Sequence, residues 1–138
     1  MSDRVRSSTF DEIDADAVLA RLRDAVGDDL RALVEYDADA YNLLFLADRV
    51  LAEFGGDEAV EAFADKLHAD YRLDFTEKEM YEDVYAELGT VRAFAVFFQE
   101  SAVFRFVGES TGLYVSLERD APYNRVIETV YDVVEGDS

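Results

Sequence analysis

The sequence predicts an α+β domain: a five-stranded antiparallel sheet, made of a hairpin plus a three-strand meander, with helices packed on it. Three observations carry this. Apolar residues recur at spacings of three and four over 14–26, 58–71 and 123–134, the pattern of a helix with one buried face. They alternate, or run nearly unbroken, over 30–36, 41–47, 90–98, 102–107 and 113–118, lengths that suit strands. The two kinds of segment come in groups, in the order α-β-β-α(α)-β-β-β-α, which reads as α+β.

Residues 1–10 are polar and read as a flexible end, residues 11–135 as one domain, and the acidic residues 136–138 as a frayed tail. Over Asp14–Val26, the residues Ala15, Val18, Leu19, Leu22 and Val26 share a face. Asp11, Asp14 and Asp16 sit near the positive end of that helix, and Gly27 stands where it stops. Leu30–Tyr36 sets Leu30, Ala32, Val34 and Tyr36 against Arg31, Leu33 and Glu35. Tyr41–Ala47 is apolar on nearly both faces and belongs inside the sheet. Asp37-Ala38-Asp39-Ala40 joins the two as a hairpin loop.

Asp48–Phe54 is a short helix ended by Gly55-Gly56. Glu58–Tyr71 places Val60, Phe63, Ala64, Leu67 and Tyr71 on one face. Thr76-Glu77-Lys78-Glu79 has the form of a capping box. It opens a segment with Met80, Tyr81, Val84, Tyr85 and Leu88, closed by Gly89. One bent helix or two both fit 58–88. The period then becomes two. Thr90–Phe98, Ala102–Val107 and Leu113–Glu118 are strands, joined by turns at 99–101 and 109–112. Asp120-Ala121-Pro122 starts the last helix, with Tyr123, Ile127, Val130, Tyr131 and Val134 as its buried stripe.

A length of 138 residues suits one domain. Half of them are apolar and 13% are aromatic, which excludes a disordered acidic chain. Cys is absent, so there is no disulfide framework, thiolate metal site or thiol nucleophile. The apolar runs Asn42–Ala47 and Val91–Phe98 are broken by charges within ten residues and are too short to cross a membrane. The first eight residues hold no apolar signal region. A cytoplasmic protein is expected.

Thirty-two Asp and Glu oppose thirteen Lys and Arg, eleven of them Arg, for a net charge of −19. Such self-repulsion weakens a compact state unless salt screens it, as molar salt does by cutting the Debye length to ~3 Å. An Asp-rich, Lys-poor surface over an ordinary aromatic core therefore reads as a halophile's protein. The competing reading is an acidic face for a basic partner, or one that mimics nucleic acid. Binding of nucleic acid is not expected, because phosphate affinity needs clustered Lys and Arg, and here they are scattered among acids.

No catalytic, cofactor or metal constellation emerges. His68 is the one histidine; Asp65 and Arg72 could share its helix face, but no second His supports it. Asp37–Asp48 opens like an EF-hand loop, with Asp48 at position twelve. Tyr41 at position five and Asn42 at six, where the turn needs Gly, break that pattern. The glycines form no phosphate-binding loop. Ser101, Ser110 and Ser116 would have to share His68 as their base. A recognition helix over 76–88 would be repelled by DNA, since Glu77, Glu79, Glu82, Asp83 and Glu87 stand against Lys78.

The aromatic strands are more informative. Phe94, Phe97, Phe98, Phe104, Phe106 and Tyr114 lie on three adjacent strands, and period two puts Arg92, Phe94, Val96 and Phe98 opposite Val91, Ala93, Ala95 and Phe97. Both faces are too apolar for open solvent. One should meet helices. The other should meet the terminal helices, another subunit or an apolar ligand. Phe94, Val96, Phe98, Phe104, Phe106 and Tyr114 are the candidate interface or pocket.

The order of elements over residues 12–135 is similar to the roadblock/LC7 domains of the profilin-like group. That resemblance implies a non-enzymatic dimer that binds partners, often small GTPases; the extra helix over 76–88 departs from the pattern. Glu35-Tyr36, Tyr41–Asp48, Thr90-Val91-Arg92-Ala93 and Gly112–Glu118 also resemble a family of small acidic haloarchaeal proteins, which implies no activity and no site residues. Together these readings lead to a non-enzymatic regulatory or scaffold module acting through protein–protein contacts. A homodimer and a protein partner are expected, with no nucleic acid and no membrane. The alternative is a small-molecule sensor domain with an apolar pocket between sheet and helices.

Overall fold

The computed structural model describes residues 3–135; the ends read at residues 1–2 and 136–138 lie outside the described residues. The strands are β1 (Arg4–Val5), β2 (Leu30–Tyr36), β3 (Tyr41–Leu46), β4 (Ala93–Phe97), β5 (Ser101–Val107) and β6 (Gly112–Glu118). The helices are α1 (Ala15–Val26), α2 (Asp48–Phe54), α3 (Asp57–Tyr71), α4 (Asp74–Val84) and α5 (Tyr123–Val134). The strands form one antiparallel sheet in the order β1-β3-β2-β6-β5-β4.

The α+β class stands, but the sheet has six strands where the sequence predicts five. The extra strand is β1, from the stretch read as a flexible polar end. It pairs Arg4 with Leu46 and Val5 with Phe45. Two residues carry no period, so nothing in the sequence marks them. Distant side chains fix the segment instead: Ser8 Oγ and the Thr9 amide each donate to the Glu35 carboxylate at 2.7 Å, and Arg4 pairs with Asp57 at 2.8 Å.

Helices α1 and α5 cover one face of the sheet. Val18, Leu19 and Leu22 of α1 and Val126 and Val130 of α5 share a core with Leu33, Phe45, Phe104, Phe106, Val115 and Leu117. Each such side chain contributes ~1.5–3 kcal/mol by leaving water. Asp14 caps α1 by accepting from the Ala17 amide at 3.1 Å. The stripe of α5 centres on Val126 and Val130, with Thr129 beside them. The predicted Val134 is exposed, and Tyr123 and Tyr131 instead flank the core against Phe104 and Phe106.

Helices α2, α3 and α4 lie on the other face. Residues 58–88 hold two helices, broken at Arg72 and Leu73. The capping box at Thr76 does not form: α4 already begins at Asp74 and has no side-chain cap. Asp74 is drawn to the sheet by Tyr36 and Arg105, and that anchor sets the start. The strand expected over 90–98 is shorter, Ala93–Phe97.

Candidate functional site

The register builds the second face from two cross-strand rows. One runs Leu46, Ala32, Ser116, Val103, Val96; the next runs Leu43, Val34, Tyr114, Arg105, Phe94. Three small side chains line the space here: Ala32 and Ser116, partners in the middle of the floor, and Ala64 on α3. Helix α3 crosses this floor without seating on it. Of its fifteen residues only Tyr71, at the C-terminal end, is buried. Between helix and sheet lies a cavity of about 440 Å³, lined mainly by apolar side chains of α3 and both rows. That volume falls in the range of small-molecule sites.

Helix α3 is held at two points. Before it, Gly55 takes the left-handed conformation (φ 91°) and ends α2, and Phe54 packs on Phe63, midway along α3, at 4.8 Å between ring centres. At its end, Tyr71 packs on Tyr36 and Tyr114 at 5.5 and 4.9 Å. Beyond it, Asp74 accepts from the Tyr36 hydroxyl at 2.6 Å and forms a buried ion pair with Arg105. Burial, joined by the Asp74 charge, pushes the Tyr36 hydroxyl far above its usual range, and burial does the same to Tyr71. Both stay neutral donors.

His68 belongs to the same framework. Its Nε2 lies 2.8 Å from the Asp37 carbonyl oxygen, and its ring packs on Tyr41. Arg72 donates to the Ala38 carbonyl at 3.0 Å. The hairpin loop that opens like an EF-hand is thus a seat for α3. Among the described residues, no group of three or more His, Asp or Glu is placed to hold a metal ion.

The third feature is an exposed apolar surface along α4 and β4. Val84 and Leu88 are 68% and 80% exposed, and Phe97 and Phe98 are 63% and 57% exposed. Tyr81 bridges the two elements, with its ring 5.8 Å from that of Phe94. Strand β4 pairs only with β5, so its outer edge is free among the described residues. A free edge with aromatic side chains is a template for another chain.

The six residues singled out by the sequence are therefore divided. Phe94, Val96 and Tyr114 sit on the second-face rows, and Phe98 lines the cavity. Phe104 and Phe106 point the other way and are buried against α5. Phe97, set on the opposite face from Phe94, packs on Phe104 and Tyr123 yet stays largely exposed. Sequence reasoning missed Asp74 and Glu35, carboxylates buried to 2% exposure. It also missed Ala32, Ser116 and Ala64, whose shared smallness makes the space.

This architecture is the roadblock/LC7-like α+β fold. A roadblock/LC7 domain from Streptomyces avermitilis superimposes with a TM-score of 0.60 at 16% identity, over 86% of this chain and 89% of that one. An MglB structure described as having a tetrameric arrangement gives 0.57 at 14% identity, over 94% and 89%. The gliding protein MglB from Thermus thermophilus gives 0.51 at 14% identity, over 94% and 95%. No curated protein matches in sequence. The chain belongs to the family described as domain of unknown function DUF7522, whose model matches residues 16–135.

Proposed function

We propose that this domain is a non-enzymatic regulatory or scaffold module that acts through protein–protein contacts, as a homodimer, in a halophile's cytoplasm. The free aromatic edge of β4, continuous with the apolar side of α4, carries the reading. Pairing two copies along β4 would satisfy the open backbone groups and cover Phe97, Phe98, Val84 and Leu88. The roadblock/LC7-like fold supports the module class. Among the described residues, no helix is long and apolar enough to cross a membrane. The net charge of −19 supports a salt-dependent fold and disfavours nucleic acid as the partner.

The experiment is light scattering coupled to size exclusion, in molar KCl and again at about 0.1 M, where the Debye length grows from ~3 to ~10 Å. A dimer in molar salt that Phe97→Glu converts to a folded monomer supports the reading. A wild-type monomer at both salts overturns it.

A second reading, a small-molecule sensor domain, is favoured by one observation: α3 bridges an apolar floor and leaves a cavity beneath it. In that reading the ligand lies between sheet and helix.

A further inference from the structure

We propose that the space beneath α3 takes an uncharged, elongated, lipid-like molecule. This deepens the sensor reading and rests on it. The shape comes first. The floor crosses five neighbouring strands, from Leu46 on β3 to Val96 on β4. At ~4.8 Å between strands the span is roughly 19 Å. A volume of about 440 Å³ over that length is a channel, long and narrow. The roof is α3, which contributes Val60, Phe63, Ala64, Leu67 and Tyr71 to the lining. Because α3 is fixed at Phe54–Phe63 and again at Tyr71–Asp74, it cannot settle onto the floor to close the gap.

The charge of the occupant comes next. Two cationic side chains, Arg31 and Arg105, reach the lining. Arg31 is held by Glu53 at 2.8 Å and Glu118 at 3.1 Å. Arg105 is held by Asp74 at 2.9 Å. Neither offers a free cation to a carboxylate or phosphate, and a chain of net charge −19 repels anions from a distance. The one acid in the lining, Asp70, is exposed at its rim, so a cationic head would have to leave water and that carboxylate for a mainly apolar channel. The hydroxyls of Ser116 and Tyr114 on the floor suit a hydroxyl or carbonyl group. The mouth lies where lining side chains reach solvent, between Phe63 on α3 and Val96 and Phe98 at the sheet edge. An apolar molecule fits this opening without disturbing the core under α1 and α5.

The test titrates the full chain in molar KCl with N-phenyl-1-naphthylamine, an uncharged dye that brightens in apolar surroundings. The expected result is saturable binding whose affinity does not change with chain concentration. Decanol should displace the dye about tenfold better than decanoate or decyltrimethylammonium at neutral pH. Ala64→Leu fills the channel from the roof and Ser116→Leu from the floor. Whichever keeps the wild-type circular dichroism should weaken the dye by about tenfold; if neither folds, the displacement series decides. No saturable binding overturns both this proposal and the sensor reading. Saturable binding with decanoate or the ammonium competing as well as decanol overturns the ligand class alone. Binding unchanged by a folded filling variant, or an affinity that rises with chain concentration, places the dye elsewhere and overturns the cavity.

Discussion

Arg105 grips Asp74 with two hydrogen bonds, Nε to Oδ2 at 2.9 Å and Nη2 to Oδ1 at 3.2 Å, joining strand β5 to the first residue of α4. The Asp74 side chain is 3% exposed and that of Arg105 13%. Burial pulls the Arg105 pKa down, but its bonds to Asp74 raise it on balance, so the guanidinium stays charged. Removing one partner strands the other. Asp74→Ala is expected to cost roughly 3–5 kcal/mol, and Asp74→Asn less, because it still accepts from Tyr36. Denaturant unfolding in molar salt measures both; equal, small losses for the two would refute the buried pair.

Gly112 faces the ring of Tyr36 across β2 and β6. A Cβ there would stand 2.7 Å from Tyr36 Cζ and 2.8 Å from its hydroxyl oxygen. Gly112→Ala must therefore push Tyr36 off Asp74. Overpacking of this kind costs about 1–3 kcal/mol. The informative readout is the Gly112→Ala, Tyr36→Phe double variant. If the clash acts through the hydroxyl, the two losses are less than additive; strict additivity would count against it.

Glu35 is a buried carboxylate that accepts from Ser8, Thr9 and Asn42 Nδ2. Glu35→Ala should free the 7–9 segment and leave its donors unpaired, at about 1–3 kcal/mol. Hydrogen exchange at the Thr9 amide, which donates to Glu35, should then quicken while the β5 and β6 amides keep their protection. Uniform quickening would mean global unfolding and sink the local account.

Stability should fall at both ends of the pH scale. Burial works to raise Glu12, but the amides of Ser110, Glu109 and Thr111 outweigh it and hold the carboxyl below 4.5. Glu118 is likewise lowered, with burial overcome by Arg49 and Arg31. A depressed folded pKa stabilises above the unfolded value and loses that contribution as pH drops through the folded one. Acid unfolding should thus steepen below pH 4.5, and Glu12→Gln should flatten it. On the alkaline side, burial and a hydrogen bond to Asp65 push Tyr41 up to about 12 from 10. Its contribution is complete below pH 10 and fades as pH rises toward 12. Tyr41→Phe should weaken that alkaline loss in a denaturation series.

What could be read from residue order was whatever a short window contains. The strand pair at 102–107 and 113–118 announced itself by period, and the helix at 14–26 by its stripe and cap. What escaped depends on partners far along the chain. Glu35 sits on the alternating position of a strand and looks outward-facing until Ser8 and Thr9 arrive from 27 and 26 residues away. Asp74 looks like part of a linker until Tyr36 reaches it. Phe104 and Val103 are neighbours in sequence but serve opposite layers. Grouping Phe104 and Phe106 with Phe94 and Val96 follows from proximity along the strands; only the register separates them. The cavity needs Ala32, Ser116 and Ala64 to coincide in space, which no window holds.

The margins of the sheet are unlike. On one side β3 is already capped by the two-residue β1, whose Arg4 and flanking Arg6 make it short and charged, a poor docking edge. On the other side β4 is open. A unit with one sticky margin and one blunted margin can join a second copy only once along its sheet, and the product turns its blunted margins outward. If two copies do pair along β4, the described strands would leave that association as a closed pair and not as an endless fibre.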